Sequence, residues 1–284
     1  MIAARGLSSP RMLVLPAAAL IVVFVVMPYL NIMVMSLRTP AQGNPYGEGF
    51  TLQSYLTILT DAYYYEAVLK TLRLGVVTSI TTLALGLPLA LHINRAGRRM
   101  RGLLIALVLS PLLVGIVVRS YGWTILLGNA GIVNSTLRNL GLIDRPLPLM
   151  YNELGIIIGL THVFLPFMIL PILSALQSID PAVSAAARSL GARPFTVFRR
   201  VTLPLALPGI RSGTILVFVL AVSAYVTPAL MGGMRIQTAT LMTVDILIDQ
   251  YRWPFGSALA LTLSIAAALM IFAFGRMTRT RWTQ

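Results

Sequence analysis

The sequence contains no cysteine and few charged residues for its length. The absence of cysteine excludes a disulfide, a thiolate metal site and a thiol nucleophile. Only 11% of the 284 residues are charged, whereas a soluble domain carries about a quarter. Hydrophobic residues make up 57% of the chain, and several apolar stretches reach the ~20 residues that cross a bilayer as a helix. This composition predicts an all-α membrane protein with several spans.

Lysine and histidine are also scarce, and their positions exclude a P-loop and an H-E-x-x-H metal site. The one lysine, Lys70, stands in "EAVLKTLR" with no glycine before it, whereas a P-loop needs Gly-x-x-x-x-Gly-Lys-Ser/Thr. The two histidines, His92 and His162, lie on different predicted spans, and neither stands in an H-E-x-x-H pattern. We interpret each as a polar helix residue. We therefore expect a non-catalytic chain that binds no metal and no cofactor, with any ATP hydrolysed by another subunit.

The apolar stretches predict six membrane spans. The first follows Arg5 and Arg11, as in a signal peptide, but its apolar run is longer than the roughly 7–15 residues of a signal h-region. We therefore interpret it as a retained helix. Several prolines lie inside the predicted spans, where neighbouring helices can satisfy the freed carbonyls. The predicted spans are Met12–Leu37, Val68–Ile93, Leu103–Tyr121, Leu154–Leu176, Gly209–Met231 and Phe255–Gly275.

The distribution of basic residues predicts the orientation of these spans. Six spans place both termini on the same side, and a cytoplasmic placement puts 14 of the 22 basic residues inside. Only one acid, Asp180, accompanies them, whereas the opposite side holds seven acids. The short loops around 95–101 and 188–200 follow the positive-inside rule strongly. Both termini are therefore predicted to be cytoplasmic, and the net charge of +14 reflects topology and attraction to anionic lipid rather than nucleic-acid binding.

The segment "AAARSLGARPFTVFRRVTLP", residues 185–204, combines four arginines with helix-forming alanines and no acid. Asp180 and Pro181 before it predict a helix start, with Asp as N-cap and Pro in the first turn. Gly191 is predicted to end that helix, and a second helix is expected near Pro194. A basic loop lying on lipid would explain the arginines, but it would not explain the alanines, the glycine and the prolines. We therefore predict a helix–turn–helix docking surface.

The same segment resembles the cytoplasmic signature loop of ABC importer permeases. That signature reads Glu-Ala-Ala, three residues, Gly, nine residues, an aliphatic residue, one residue and Leu-Pro. The sequence matches it from Ala186 to Pro204, but Ala185 occupies the glutamate position. The resemblance implies that a loop over 177–208 docks onto an ATP-binding subunit. The residues expected to dock are Ala185, Ala186, Ala187, Leu190, Gly191, Phe195, Phe198, Val201, Leu203 and Pro204.

Further segments resemble the permeases of spermidine/putrescine importers, in particular the first of their two non-identical subunits. They are "SPLLVGIVVRSYGWTILLGNAGIVN" (110–134), "GLTHVFLPFMILPI" (159–172), "AYVTPALMGG" (224–233) and "RWPFGSALALTL" (252–263). The resemblance implies a type I ABC importer permease (MetI-like) fold over 1–284 as one transmembrane domain in the bacterial inner membrane. The same permease group also serves aminoethylphosphonate, opine and ferric-ion importers, so these substrates remain alternatives to polyamines.

The resemblance also implies an assembly. Its members are this chain, a second and non-identical permease, a dimer of ATP-binding subunits that use ATP and Mg, and a periplasmic binding protein. Residues 46–69 and 128–153 are too long for tight turns and mix aromatic with polar residues, which suits contact with a binding protein. The tyrosines at 63–65 are interpreted mainly as an interfacial aromatic belt. Two other classes stay open, a secondary transporter with ion-binding broken helices and a channel.

Polar residues at membrane depth are the candidates for a substrate path, because they are costly there. Arg119 and Tyr121 lie at the outer end of the third predicted span. Tyr225, Thr227 and Pro228 interrupt the fifth. We expect Tyr225 to act as a gate or as a stacking surface for a cation.

Asp245 and Asp249 are four residues apart on a predicted short helix before the sixth span, so they share a face. Two carboxylates on one face could receive the ammonium groups of a polyamine. The alternative is that they form ion pairs with Arg235, Arg252 or Arg119 in the same outer region.

Overall fold

The computed structural model describes residues 16, 19–41, 46–233 and 236–278. Within these residues the chain is almost entirely helical, and six segments are long and apolar enough to cross a membrane. The all-α, six-span prediction is therefore confirmed. The N-terminal part of the predicted span Met12–Leu37 lies outside the described residues, and the cytoplasmic placement of the termini stays a prediction. The helices are α1 Ala19–Ser36, α2 Gln53–Thr60, α3 Ala62–Arg95, α4 Arg98–Leu109, α5 Ile116–Leu127, α6 Ile132–Asn139, α7 Glu153–Gln177, α8 Pro181–Ser189, α9 Pro194–Val222, α10 Val226–Gly232, α11 Ala239–Val244 and α12 Trp253–Met277.

The third span differs from its prediction. The apolar run Leu103–Tyr121 is interrupted, because a short 3₁₀ turn follows α4 and the chain is then extended at Val114 and Gly115. Pro111 lies in that turn, and its missing N–H removes a hydrogen bond that a continuing α-helix needs. The third spanning segment is Ile116–Asn139 instead, and it contains α5, a turn at 128–131 and α6.

The fifth span also differs from its prediction of Gly209–Met231. The helix α9 starts at Pro194 and ends at Val222, so it begins earlier and stops before the expected interruption around Tyr225. An interruption is present at residues 223–225, which separate α9 from α10, but of the three residues expected to form it only Tyr225 is included. Thr227 and Pro228 lie inside α10. Pro204 and Pro208 lie within the continuous helical stretch of α9, which widens into a π-turn at Phe198–Thr202.

The described residues divide into two compact units. One contains the residues up to Tyr65 together with Met242–Ile265, and the other contains Glu66–Leu241 with the residues from Ala266 onward. In the first unit, the Tyr64 ring packs edge-on against Phe255 with centroids 4.7 Å apart. The Ser36 hydroxyl also shares a hydrogen bond of 2.7 Å with the Tyr55 hydroxyl. The first contact joins the start of α3 to the start of α12, and the second joins α1 to α2.

The core of the second unit is centred on α7 and α9. Large side chains such as Leu160, Met168 and Ile172 on α7 are fully buried there. Gly209 on α9 allows the two helices to approach closely, because a Cβ at this position would lie 2.4 Å from the carbonyl oxygen of Pro171. Small residues serve this purpose between membrane helices. The loop between α7 and α9 and a set of polar residues that includes side chains of α7 are the two candidate sites.

Candidate docking loop and polar membrane cluster

The loop 177–208 begins with a capped helix. The carboxylate of Asp180 accepts a hydrogen bond of 2.8 Å from the Ala182 N–H, and Pro181 occupies the first turn of α8. This confirms the predicted helix start. An N-cap of this kind satisfies one of the N–H groups that a helix leaves free at its beginning.

Gly191 ends α8 in the left-handed region, with φ of +80°. The Gly191 N–H donates to the Arg188 carbonyl at 2.9 Å, and the Ala192 N–H donates to the Ala187 carbonyl at 3.1 Å. These bonds satisfy carbonyls at the helix end, in a conformation that glycine adopts at little steric cost. The predicted helix end at Gly191 is confirmed, and the start of the following helix at Pro194 agrees with the expectation as well.

The loop presents four exposed large apolar side chains, Val183, Leu190, Phe195 and Leu205, of which Leu190 and Phe195 are the most exposed. Leu190 is 89% exposed and Phe195 is 70% exposed, although both are hydrophobic. Phe198, another of the residues expected to dock, is half-buried. Among the other expected docking residues, the exposed ones are Ala185, Ala186, Gly191 and Pro204, and the half-buried ones are Ala187, Val201 and Leu203. Exposed apolar groups of this size are typical of an interaction surface.

A polar cluster lies inside the membrane-spanning part of the second unit. Arg119 and Trp123 are four residues apart on α5 and share a face. The Trp123 indole Nε1–H donates to His162 Nδ1 on α7 at 3.2 Å, and the two rings meet nearly edge-on with centroids 5.4 Å apart. Arg119 also interacts electrostatically with His162.

Two hydroxyl pairs extend this cluster. Thr81 Oγ1 on α3 and Thr161 Oγ1 on α7 share a hydrogen bond of 2.8 Å. Ser120 Oγ on α5 and Thr227 Oγ1 on α10 lie 3.3 Å apart. The polar cluster therefore joins four helices at membrane depth, where buried polar groups need partners. Its members are Thr81, Arg119, Ser120, Trp123, Thr161, His162 and Thr227.

Arg119 is incompletely paired in this cluster. Its Nε and Nη1 atoms are buried, and neither has a hydrogen-bond acceptor among the residues that the structure describes. A guanidinium within a span is expensive unless it is paired or reaches water, and such groups mark functional sites. The arrangement therefore favours an acceptor supplied from outside this set of residues.

An ion pair joins α3 to the N-terminal end of α7. The Arg73 guanidinium pairs with both carboxylate oxygens of Glu153, the first residue of α7. Asn152 caps the same helix end, since its side-chain oxygen accepts from the Gly155 N–H at 2.9 Å. Both interactions are at the end of α7 away from the docking loop.

The predicted path residues are distributed unevenly. Arg119 and the fully buried Thr227 belong to the polar cluster, whereas Tyr121 is 55% exposed and Tyr225 is 43% exposed. Neither tyrosine takes part in the hydrogen bonds that define the cluster. Tyr225 occupies the N-cap position of α10, directly after the interruption of the fifth span.

The two aspartates lie in the first compact unit. A π-turn holds Asp245–Asp249, and the Asp245 carboxylate accepts from the Gln250 amide at 2.7 Å. Arg252 lies over the Phe255 ring at 5.0 Å, and among the described residues it forms no ion pair with either aspartate. Of the other two arginines considered for them, Arg119 belongs to the second unit, and Arg235 lies outside the described residues.

Sequence reasoning misses most of the polar cluster. It treats His162 as an isolated polar residue and gives no role to Trp123, Thr81 or Thr161. A signal for them does exist in the spacing of polar residues on apolar helices, because Arg119 and Trp123 repeat at the interval that stacks side chains on one face. The pairing of one helix with another, however, does not follow from that spacing.

The chain matches the family described as "Binding-protein-dependent transport system inner membrane component" over residues 2–279. It belongs to this family. The permease is 34% identical over 260 residues to the spermidine/putrescine transport system permease protein PotB of Haemophilus influenzae, and the alignment covers 91% of the permease and 90% of that relative. The predicted family and the predicted inner-membrane location are thereby confirmed.

Solved structures support the fold. The permease is similar to a bacterial ABC transporter involved in the import of the acidic polysaccharide alginate, with a TM-score of 0.75, 19% identity and coverage of 96% of both chains. A second structure, of a bacterial alginate ABC transporter in complex with alginate pentasaccharide-bound periplasmic protein, gives a TM-score of 0.74 at 18% identity, with coverage of 95% and 93%. At this identity the likeness establishes the fold, which is that of an ABC importer permease.

Proposed function

We propose that this permease forms the membrane path of an ATP-driven importer for polyamines such as spermidine and putrescine. The observation that carries the proposal is the 34% identity, over 91% of the chain, to a relative named for spermidine and putrescine transport. Substrate would arrive on a periplasmic binding protein, by analogy with the similar alginate transporter, whose structure is a complex with an alginate-bound periplasmic protein.

The docking loop 177–208 is proposed to bind the ATP-binding subunit on the cytoplasmic side. The support is geometric. Leu190 and Phe195 are exposed on a bend that is defined by the side-chain cap of Asp180 and by the backbone hydrogen bonds at Gly191. The chain has no P-loop, so the free energy of ATP must enter through a partner. A second permease subunit would complete the membrane path, because this family assembles around two such subunits.

Coupling is proposed to run through α9. This helix continues from Pro194, at the docking loop, to Val222 in the core of the second unit. Closure of the ATP-binding subunits would displace the loop, and α9 would carry that displacement to α7, against which Gly209 packs. ATP and substrate then act by stabilising different conformers of the permease, which is the thermodynamic requirement for such a device.

The polar cluster is proposed to line part of the substrate path. The positive charge of Arg119 then limits which substrates can pass. An ammonium group within about 4–6 Å of a guanidinium is repelled, so a polyamine can pass only if another group neutralises Arg119. Asp245 and Asp249 are proposed to receive the ammonium groups at the outer side, where both carboxylates belong to one short turn. Tyr225 is proposed as a stacking surface for the cation.

The same arginine favours a second candidate. A guanidinium with two buried and unpaired nitrogen atoms suits a phosphonate or a carboxylate, to which arginine donates two parallel hydrogen bonds. Aminoethylphosphonate and opines carry such groups. Importers for these solutes use the permease group that the sequence resembles.

Uptake into vesicles that contain the assembled transporter tests these proposals. The permease, its second permease and the ATP-binding subunit are reconstituted, and radiolabelled spermidine is supplied on the binding protein. We expect spermidine uptake to require ATP. Unlabelled putrescine should reduce it, and aminoethylphosphonate should have no effect. Competition by aminoethylphosphonate alone would replace the polyamine proposal by the second candidate. Uptake that persists without ATP and requires an ion gradient would refute the importer proposal.

A further inference from the structure

A cavity of about 370 Å³ lies at the base of the docking loop. Its wall comes from the last residues of α3, the end of α7, the helix α8 and the start of α9. Two arginines, Arg95 and Arg188, contribute to the wall, and the other polar residues are Asn94, Ser184 and Thr202. No acidic residue lines it among the described residues. The cavity is therefore a cationic recess beside the exposed apolar side chains.

Neither arginine is neutralised in the part of the chain that the structure describes. Arg95 and Arg188 are both exposed, and neither takes part in an ion pair or a side-chain hydrogen bond there. Asp180, the one acid in the loop, directs a carboxylate oxygen to the N–H of Ala182 as a helix cap. Each arginine lies in the last turn of its helix, where the helix dipole favours a cation. Two guanidinium groups thus face one recess without a counter-charge.

We infer that this recess receives an acidic side chain of the ATP-binding subunit. The inference rests on the proposed docking function and names the chemistry of the partner surface. Arginine presents a planar fork of donors that matches a carboxylate in a bidentate geometry. The recess can hold a side chain, and much of its wall belongs to the loop that carries Leu190 and Phe195.

The sign of the charge argues for an acid on the partner. The docking signature that this loop resembles begins with a glutamate, but alanine stands at that position here, Ala185. The loop therefore offers four arginines between 185 and 204 and no acid in the same stretch. Like charges across an interface are repulsive, so a partner that binds this surface must present acids to it.

Charge reversal with a matched control tests the inference. The dissociation constant of the ATP-binding subunit is measured against the assembled permeases in detergent, at 50 and 300 mM NaCl, for Arg188→Gln, Arg188→Glu and Arg95→Glu. The control is Arg276→Glu, which reverses an exposed arginine in the last turn of α12, outside the recess. All three reversals place an acid in the last turn of a helix, and Arg276→Glu also removes the cation–π contact of Arg276 with Phe272, 5.0 Å from the ring centroid.

We expect Arg188→Glu and Arg95→Glu each to weaken binding about tenfold, which corresponds to about 1.4 kcal/mol. Arg188→Gln should have a smaller effect, and Arg276→Glu should bind as the unsubstituted permease does. Binding of the unsubstituted permease should weaken between 50 and 300 mM NaCl, and the reversed variants should lose part of that salt dependence.

The outcomes separate this inference from the proposed function. No binding by the unsubstituted permease refutes the docking function itself. Normal binding with equal effects of Arg188→Glu and Arg276→Glu overturns only the inference. If binding is unaffected but Arg188→Glu removes the response of ATPase activity to phosphatidylglycerol in nanodiscs, the recess binds a lipid phosphate instead, and the inference is likewise overturned.

Discussion

Gly191 ends α8 with φ of +80°, so its replacement by valine should perturb the docking loop through the backbone alone. A Cβ at this position would meet no atom within 4 Å, and steric clash with neighbouring groups is therefore not part of the effect. The left-handed conformation itself costs a residue other than glycine about 1–3 kcal/mol. A β-branched side chain falls at the upper end of that range, because its two γ atoms crowd the backbone.

This penalty sets the expected loss of docking. If the ATP-binding subunit recognises only the bent loop, each 1.4 kcal/mol lowers its apparent affinity about tenfold. Gly191→Val should therefore weaken binding by up to about 150-fold, whereas Gly191→Asn should have a smaller effect, because asparagine tolerates this conformation. Membrane insertion should be unchanged, since the substitution leaves every apolar span intact.

Co-purification of the ATP-binding subunit and ATP-dependent uptake measure the effect. The matched control is Gly275→Val, because Gly275 also has open space around it but lies inside α12 without a positive φ. We expect the control to behave as the unsubstituted permease in both measurements. Normal binding and uptake in Gly191→Val would refute the argument that the bend is required.

Three further predictions concern the membrane part. Gly209→Val should lower the melting temperature of the permease in detergent, because its Cβ would lie 2.4 Å from a carbonyl oxygen of α7. Gly102→Val should leave the melting temperature unchanged, because Gly102 has open space around it. Equal melting temperatures of the two variants would contradict the close packing of α9 on α7. Arg119→Gln should change uptake much more than Arg119→Lys if the positive charge is required, and equal loss in both variants would show that only the arginine fork is needed. Asp245→Asn and Asp249→Asn should each reduce spermidine uptake at most about fivefold, since exposed ion pairs contribute ~0–1 kcal/mol, and unchanged uptake in the double variant would exclude both from the path.

The local features of the docking loop were predictable because they depend on short-range chemistry. Asp180 before Pro181 predicts a helix start from hydrogen bonding alone, and Gly191 predicts a helix end from its freedom at positive φ. The number of spans was predictable for a similar reason, since the length of an apolar run is set by the thickness of the bilayer. These predictions needed no knowledge of which helices touch.

The errors arose where several local preferences compete. Pro111 ends α4 inside an apolar run, whereas Pro204 and Pro208 remain inside α9, so proline alone did not decide between a break and a continuous helix. In α9 the preceding π-turn and close packing accommodate the missing N–H groups. The polar cluster was not predictable for another reason. The contact of Trp123 with His162 depends on how α5 packs on α7, and no residue spacing encodes that.

The length of α9 has a mechanical consequence. Its 29 residues run without interruption, and at 1.5 Å per residue they form a lever arm of about 43 Å. A tilt of about 5° of such a rod displaces its far end by about 4 Å, which is comparable with the rise of one helical turn. Small rotations imposed at the Pro194 end would thus be amplified at the end that leads into residues 223–225. The hinge of this permease is therefore expected at that interruption, beside Tyr225, rather than within the docking loop.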